Sequence, residues 1–191
     1  MKINKILFAC IFLLFSFFAF GKEYKAIEKV KNFSFEVAET NYLGKKQKKI
    51  LYKVQMSLPN SFKKEILFPA LNKGEIYLYT DKTKTVYLPI FDQKKTTSLE
   101  KDEVQVLNVI DILVERLSSD KKIKKAYYEK KNVEFVLEEN YKVRIVSYLD
   151  VDGYVFPKKW LIEEKGQKVL ELTLSKVVID PKLTERDFQI S

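Results

Sequence analysis

The chain has 191 residues, 35 Lys and Arg against 26 Asp and Glu, one cysteine and no histidine, for a formal net charge of +9. Without histidine there is no imidazole base, and with a single cysteine neither a Cys-His nucleophile nor an ordinary zinc site can be assembled. The length suits one domain, and its single cysteine leaves no disulfide framework to hold that domain together.

Lys2 and Lys5 open the sequence, and an apolar run follows from Ile6 to Phe20, interrupted by Ser16. Ala19-Phe20-Gly21 places small residues at the two positions a signal peptidase reads, so cleavage before Lys22 is expected. The run reaches roughly 22 Å at ~1.5 Å per residue, short of the ~30 Å hydrocarbon core, which favours a cleaved leader over a retained anchor. Residues 1–21 are read as a removed signal peptide and residues 22–191 as a single exported domain. Leu7-Phe8-Ala9-Cys10 has the outline of a lipidation box, but Cys10 stands near the start of the apolar core and leaves with the leader. Losing Lys2 and Lys5 lowers the charge of +9 by two. A basic exported protein meets anionic membrane surface rather than nucleic acid; equally, a lysine-rich composition supplies solvated faces and nothing more.

In residues 22–31, Tyr24, Ile27 and Val30 recur every third position, which predicts a short amphipathic helix. After Asn32 the period becomes two: Phe33, Phe35 and Val37 alternate with Ser34 and Glu36, and Ile50, Tyr52, Val54, Met56 and Leu58 alternate with a more polar set. Leu43-Gly44-Lys45-Lys46 is the hairpin connection between them. Strands are then predicted over 62–68, with Ile66 and Phe68 in phase, over 75–80, with Ile76 and Leu78 in phase, and over 85–88; Pro59, Pro69 and Pro89 punctuate the series.

From Asp102 to Ser118 the pattern is helical, with Val104, Leu107, Ile110, Val114 and Leu117 on one face, and Thr97 with Glu100 offers a capping box one turn earlier. Strands resume near Tyr127: Val133, Phe135 and Leu137 alternate, as do Val143 and Ile145. Asp150-Val151-Asp152-Gly153 turns into a strand over 154–163, Glu164-Lys165-Gly166-Gln167 turns again, and Leu170, Leu172 and Leu174 alternate beyond it. About ten short antiparallel strands with one substantial helix result, in a barrel, a sandwich or one long sheet curled around the helix.

No catalytic set stands out. Ser61, Ser118 and Ser175 lie in no nucleophile motif, no glycine-rich phosphate loop exists, and the neighbouring carboxylates Glu138-Glu139 and Glu163-Glu164 sit at strand ends or turns where they are solvated. The strands are rich in aromatics: Phe33, Phe35, Tyr52, Phe62, Phe68, Tyr77, Tyr79, Tyr87, Phe135 and the single tryptophan, Trp160. These fill an ordinary core, or some of them line an apolar pocket.

One ordered set of segments carries a resemblance. Leu58-Pro59-Asn60-Ser61-Phe62-Lys63-Lys64-Glu65, then Gly74-Glu75-Ile76-Tyr77-Leu78-Tyr79 and Val86-Tyr87-Leu88-Pro89, resemble the outer-membrane lipoprotein carrier family, LolA. So do Phe156-Pro157-Lys158-Lys159-Trp160, the Gly166 turn, Leu172-Thr173-Leu174-Ser175-Lys176-Val177 and Asp180-Pro181-Lys182-Leu183 with Phe188. The resemblance implies a mainly β fold: a strongly curved antiparallel sheet forming an incomplete barrel, closed by a central helix and a short N-terminal helix. It also implies a monomeric periplasmic chaperone without cofactor or metal, neither an enzyme nor a nucleic-acid binder. Its cavity would take acyl chains of lipoproteins or lipids from an inner-membrane release complex to an outer-membrane acceptor. The expected cavity residues are Phe33, Phe35, Tyr52, Val54, Met56, Ile66, Phe68, Ile76, Leu78, Ile110, Leu113, Leu117, Phe135, Trp160 and Leu172, with the helix over 104–117 as lid. Two positions depart from the family pattern. Leu58 stands where an arginine helps latch the lid, and Val86 or Tyr87 stands near the place of an expected tryptophan. Lys63 or Lys64 is the available substitute for the arginine, without its bidentate fork. A lipid-sensing regulatory module, or a structural interaction domain with a filled interior, would share this pattern of strands.

Overall fold

A computed structural model of the chain describes residues 23–44, 46–80, 82–99, 109–138 and 141–190. The leader expected at residues 1–21, with Cys10, and the helix positions Val104 and Leu107 lie outside the described residues.

Ten strands form one antiparallel sheet: β1 (Asn32–Asn41), β2 (Lys48–Ser57), β3 (Ser61–Phe68), β4 (Ile76–Thr80), β5 (Thr83–Leu88), β6 (Gln93–Ser98), β7 (Val133–Glu138), β8 (Tyr141–Val151), β9 (Tyr154–Glu164) and β10 (Gln167–Ile179). Their order is β6-β5-β4-β3-β2-β1-β10-β9-β8-β7, so β6 and β7 are the two edges and the barrel is incomplete. Apart from β1 with β10, each pair joins strands consecutive in the sequence. That one seam runs from Phe33 opposite Ile179 to Asn41 opposite Leu170, with a register shift between Ser34 and Glu36. Lys176 Nζ donates to Glu36 across it at 2.8 Å.

Local chemistry explains where the strands stop. β3 and β5 end one residue before Pro69 and Pro89, which have no N–H for a ladder. Asp152-Gly153 and Lys165-Gly166 each have two consecutive positive φ values, the tight hairpin turns expected of them. Pro157 sits inside β9, opposite Tyr148, beside the register shift between Ser147 and Tyr148 where the ladder is already broken.

Between β6 and β7 the chain forms α1 (Val109–Ser119) and α2 (Lys121–Tyr128). α1 buries Val109, Ile110, Leu113 and Leu117; of the face the periodicity marks, Ile110 and Leu117 are buried, while Val114 is half-buried and Leu113 takes the inward place. α2 was not expected: Tyr127 is helical rather than the start of a strand, and β7 begins at Val133. Asp120 starts this helix, its carboxylate accepting from the N–H groups of Lys122 at 2.8 Å and Ile123 at 3.1 Å. Thr97 belongs to β6, not to a helix cap, and Glu100 lies outside the described residues. The N-terminal helix is also corrected. Only Ile27–Lys29 turn, as a single 3₁₀ turn, while Lys25 bridges to Tyr154. Three apolar residues spaced by three cannot support a longer helix, although Ile27 and Val30 are buried as the pattern required.

This turn is fastened to α2 by one carboxylate. Glu28 accepts from Tyr128 Oη at 2.6 Å and pairs with Lys124, and the same Tyr128 Oη accepts from the Ile27 N–H at 3.0 Å. Burial raises the Glu28 carboxyl, but the bonds from Lys124 and Tyr128 outweigh it and hold the group below its ordinary 4.5. A carboxyl depressed in the folded state adds stability that is complete above its unfolded value and is lost as pH falls through its folded value. Between about pH 6 and about pH 3 the wild type should therefore lose more unfolding free energy than Glu28→Gln, the gap opening as the carboxyl protonates. Parallel pH profiles from urea denaturation would show that the clasp contributes nothing.

Candidate functional site

The inner face of the sheet has a solid half and a hollow half. Beneath the helices it is packed: Leu117, Tyr127, Val143, Ile145 and Val155 are fully inaccessible, and Leu113 and Phe156 nearly so. Tyr127 Oη donates to the Val155 carbonyl at 2.7 Å, which satisfies both groups in that dry region. Phe156 stands 5.8 Å from both Phe33 and Phe35, between the solid half and the hollow one.

Toward β10, β1, β2 and β3 the same face leaves a partly open cavity of about 110 Å³. Strand register builds its wall. Across β1 and β2, Phe35 faces Val54 and Val37 faces Tyr52; across β2 and β3, Val54 faces Lys64 and Met56 faces Phe62. Across the seam, Val37 faces Leu174, Glu39 faces Leu172 and, one strand on, Leu172 faces Trp160. Leu170, Val109 and Ile110 complete the lining. The volume far exceeds the roughly 10–15 Å³ that one water needs and is of the order of the ~150 Å³ engineered void that admits benzene.

Polar groups are few and grouped. Tyr52 Oη donates to Glu39 Oε2 at 3.0 Å, and burial, reinforced by that carboxylate, pushes the Tyr52 hydroxyl well above its ordinary value. Lys64 Nζ lies 3.9 Å from the centroid of the Tyr52 ring and 5.9 Å from that of Tyr77. Burial lowers the Lys64 ammonium's pKa, with the charge of Glu39 opposing. Trp160 is 1 % exposed, and its indole Nε1 is buried without a hydrogen-bond partner among the described residues.

Of the expected cavity residues, Phe35, Tyr52, Val54, Met56, Ile110, Trp160 and Leu172 come together in this wall. Phe33, Ile66, Leu113, Leu117 and Phe135 are buried in the packed core instead, Phe135 edge-on to Trp160 at 6.4 Å. Ile76 and Leu78 pair with Glu65 and Lys63 in β3, the opposite face from Phe62 and Lys64, so they point away from the cavity. Phe68, 54 % exposed, stands outside this wall. The wall also contains Val37, Glu39, Lys64, Val109, Leu170 and Leu174, and Phe62, which stood out in the sequence only as a strand aromatic. Strand alternation already put Val37, Leu170 and Leu174 in phase with the inward set; the charged Glu39 and Lys64 hid the same phase. Lys63 and Lys64 also part company. Lys63 Nζ donates to the Asp187 and Gln189 carbonyls at 2.9 and 3.0 Å on the outer face, leaving Lys64 alone toward the cavity.

No family model and no curated protein matches the sequence. Solved structures do match in shape. A LolA superfamily protein from Nitrosomonas europaea is 16 % identical, with 86 % of this chain and 94 % of that chain covered and a TM-score of 0.59. A DUF1329 family protein from Desulfovibrio piger is 14 % identical over 85 % of this chain and 91 % of that one, with a TM-score of 0.61. A domain described as an outer membrane lipoprotein-sorting protein, from Vibrio parahaemolyticus, is 14 % identical over 83 % and 89 %, with a TM-score of 0.55. At these identities the likeness establishes the fold, which is LolA-like. Among the described residues no helix is long and apolar enough to cross a membrane, and no three His, Cys, Asp or Glu side chains cluster as metal ligands.

A hollow half and a solid half should respond differently to added bulk. Leu172→Phe, whose extra atoms can enter the cavity, should cost under ~1.5 kcal/mol, whereas Ile145→Phe in the packed half should cost about 1–3 kcal/mol, both from chemical denaturation. Equal penalties would mean that the cavity closes in solution.

Proposed function

We propose that the protein is a periplasmic carrier that holds an acyl chain of a lipoprotein or lipid in the cavity between β10, β1, β2, β3 and α1 and moves it toward the outer membrane. The observation that carries the reading is the partly open, mainly apolar cavity on the inner face of an unclosed LolA-like sheet. The leader expected at residues 1–21 gives the destination, and the basic charge suits an anionic membrane surface at either end of the route. An inner-membrane complex would release the cargo to it and an outer-membrane acceptor would receive it.

Energetics suit transfer rather than storage. Each buried methylene is worth ~0.8 kcal/mol, but a bilayer offers nearly the same, so the carrier gains little over the membrane and can give its cargo up. The cavity volume of about 110 Å³ accommodates part of one chain, not a bundle of several.

Protein exported in cells and purified without detergent should carry acyl lipid detectable by mass spectrometry. Ile110→Glu, at the α1 side of the cavity, and Leu172→Glu, on the β10 side, should lose it while keeping the wild-type sheet signal in circular dichroism. Lipid-free wild type that also takes up no acyl probe would defeat the carrier reading and favour a structural interaction domain of the same shape.

A further inference from the structure

The wall of the cavity contains donors that the protein does not use. Lys64 has no hydrogen bond and no ion pair among the described residues; its contacts are the Tyr52 and Tyr77 rings. The nearest carboxylate on the wall, Glu39, is engaged by the Tyr52 hydroxyl instead. Trp160 Nε1 is the second such donor, buried and unpartnered. An ammonium has three N–H groups to satisfy, and aromatic faces replace only part of the hydration it gives up on burial. A hydrocarbon occupant would leave Lys64 unmet and strip it of its remaining water. An occupant whose head brings acceptor oxygens to Lys64 Nζ would satisfy it.

We propose that the cavity selects a single-chain amphiphile with an anionic head, the head oxygens on Lys64 Nζ and the tail against Val54, Leu172 and Ile110. The proposal rests on the acyl-cavity reading above and adds the chemistry of the head. Size and charge agree on it: about 110 Å³ takes part of one tail and leaves no room for a second, and Lys64 is the cation in the lining. Glu39, across Tyr52, fixes the polarity of the site, since an anion is drawn to the Lys64 side and repelled from the other. Lys63, next in sequence, is occupied by backbone carbonyls on the outer face and does not compete for the head. A carboxylate and a phosphate head share this chemistry.

The mature protein is titrated with dodecanoate, dodecyl phosphate and dodecanol, each below its micellar concentration, with the fluorescence of Trp160, the one tryptophan, as the signal. Both anions should bind wild type about tenfold more tightly than the alcohol, a difference of ~1.4 kcal/mol. The tighter of the two identifies the head as carboxylate or phosphate. Lys64→Met keeps an unbranched apolar stem without the charge, so anion affinity should fall about tenfold while alcohol affinity stays within about twofold. Lys64→Arg should keep the preference for anions. Equal binding of anion and alcohol by wild type overturns the proposal while leaving the acyl cavity intact, as does an equal loss for all three ligands in a folded Lys64→Met. Failure of all three to bind wild type overturns the acyl cavity itself. The wild-type comparison needs no variant, so it decides the matter even if Lys64→Met does not fold.

Discussion

An antiparallel sheet that stops short of closure exposes the apolar side it would otherwise wrap around itself, and everything else in this protein follows from how that side is covered. Among the described residues the cover consists of two helices of 11 and 8 residues and one 3₁₀ turn. They reach across β7, β8 and β9 and are pinned there by Leu113, Leu117 and the Tyr127 hydroxyl. Over β10, β1, β2 and β3 these described elements contribute Val109 and Ile110 to the cavity wall. The rest of the wall is apolar because the same strand alternation runs through both halves.

The uncovered region also explains where charge is tolerated. Glu39 and Lys64 occupy inward positions of β1 and β3, where a filled core would make each costly. Beside a partly open cavity each keeps some access to water, and each leans on Tyr52, one by hydrogen bond and one by ring contact. The outer face is treated differently. There Lys63 and Lys94 Nζ bind carbonyls of the C-terminal segment, which packs over the outward face of β3. One edge of the sheet is protected by composition: β6 is Gln-Lys-Lys-Thr-Thr-Ser and exposed throughout, a poor template for another chain.

Periodicity made the sheet legible and made parts of the site illegible. Strands with an inward apolar phase, such as Phe33-Phe35-Val37 and Leu170-Leu172-Leu174, announced themselves. β6 did not, because a polar edge strand is held by its backbone ladder to β5 and has no apolar phase to read. α2 was hidden by four lysines, though Asp120 as a cap with Ile123 and Tyr127 four residues apart was a usable signal. The sequence also could not say which apolar residues border a void and which interlock. Ile66 and Met56 are both buried and both in phase, yet Met56 lines the cavity and Ile66 is part of the packed core. Ile76 and Leu78 were assigned to the wrong face because an isolated apolar alternation gives a phase without a direction. Their partners Glu65 and Lys63 supply the direction.

The β1–β10 seam is the one pairing in the sheet that local hairpins cannot supply. Every other strand pair joins consecutive segments, so β1 to β6 form one meander and β7 to β10 another, each assembled from local hairpins. The seam alone demands that Phe33 meet Ile179 across nearly the whole domain, and it therefore carries the largest single loop-closure cost among the strand pairs. It is also the line on which Val37 and Leu174 meet to form the cavity wall, so the binding chamber depends on the least local pairing in the fold.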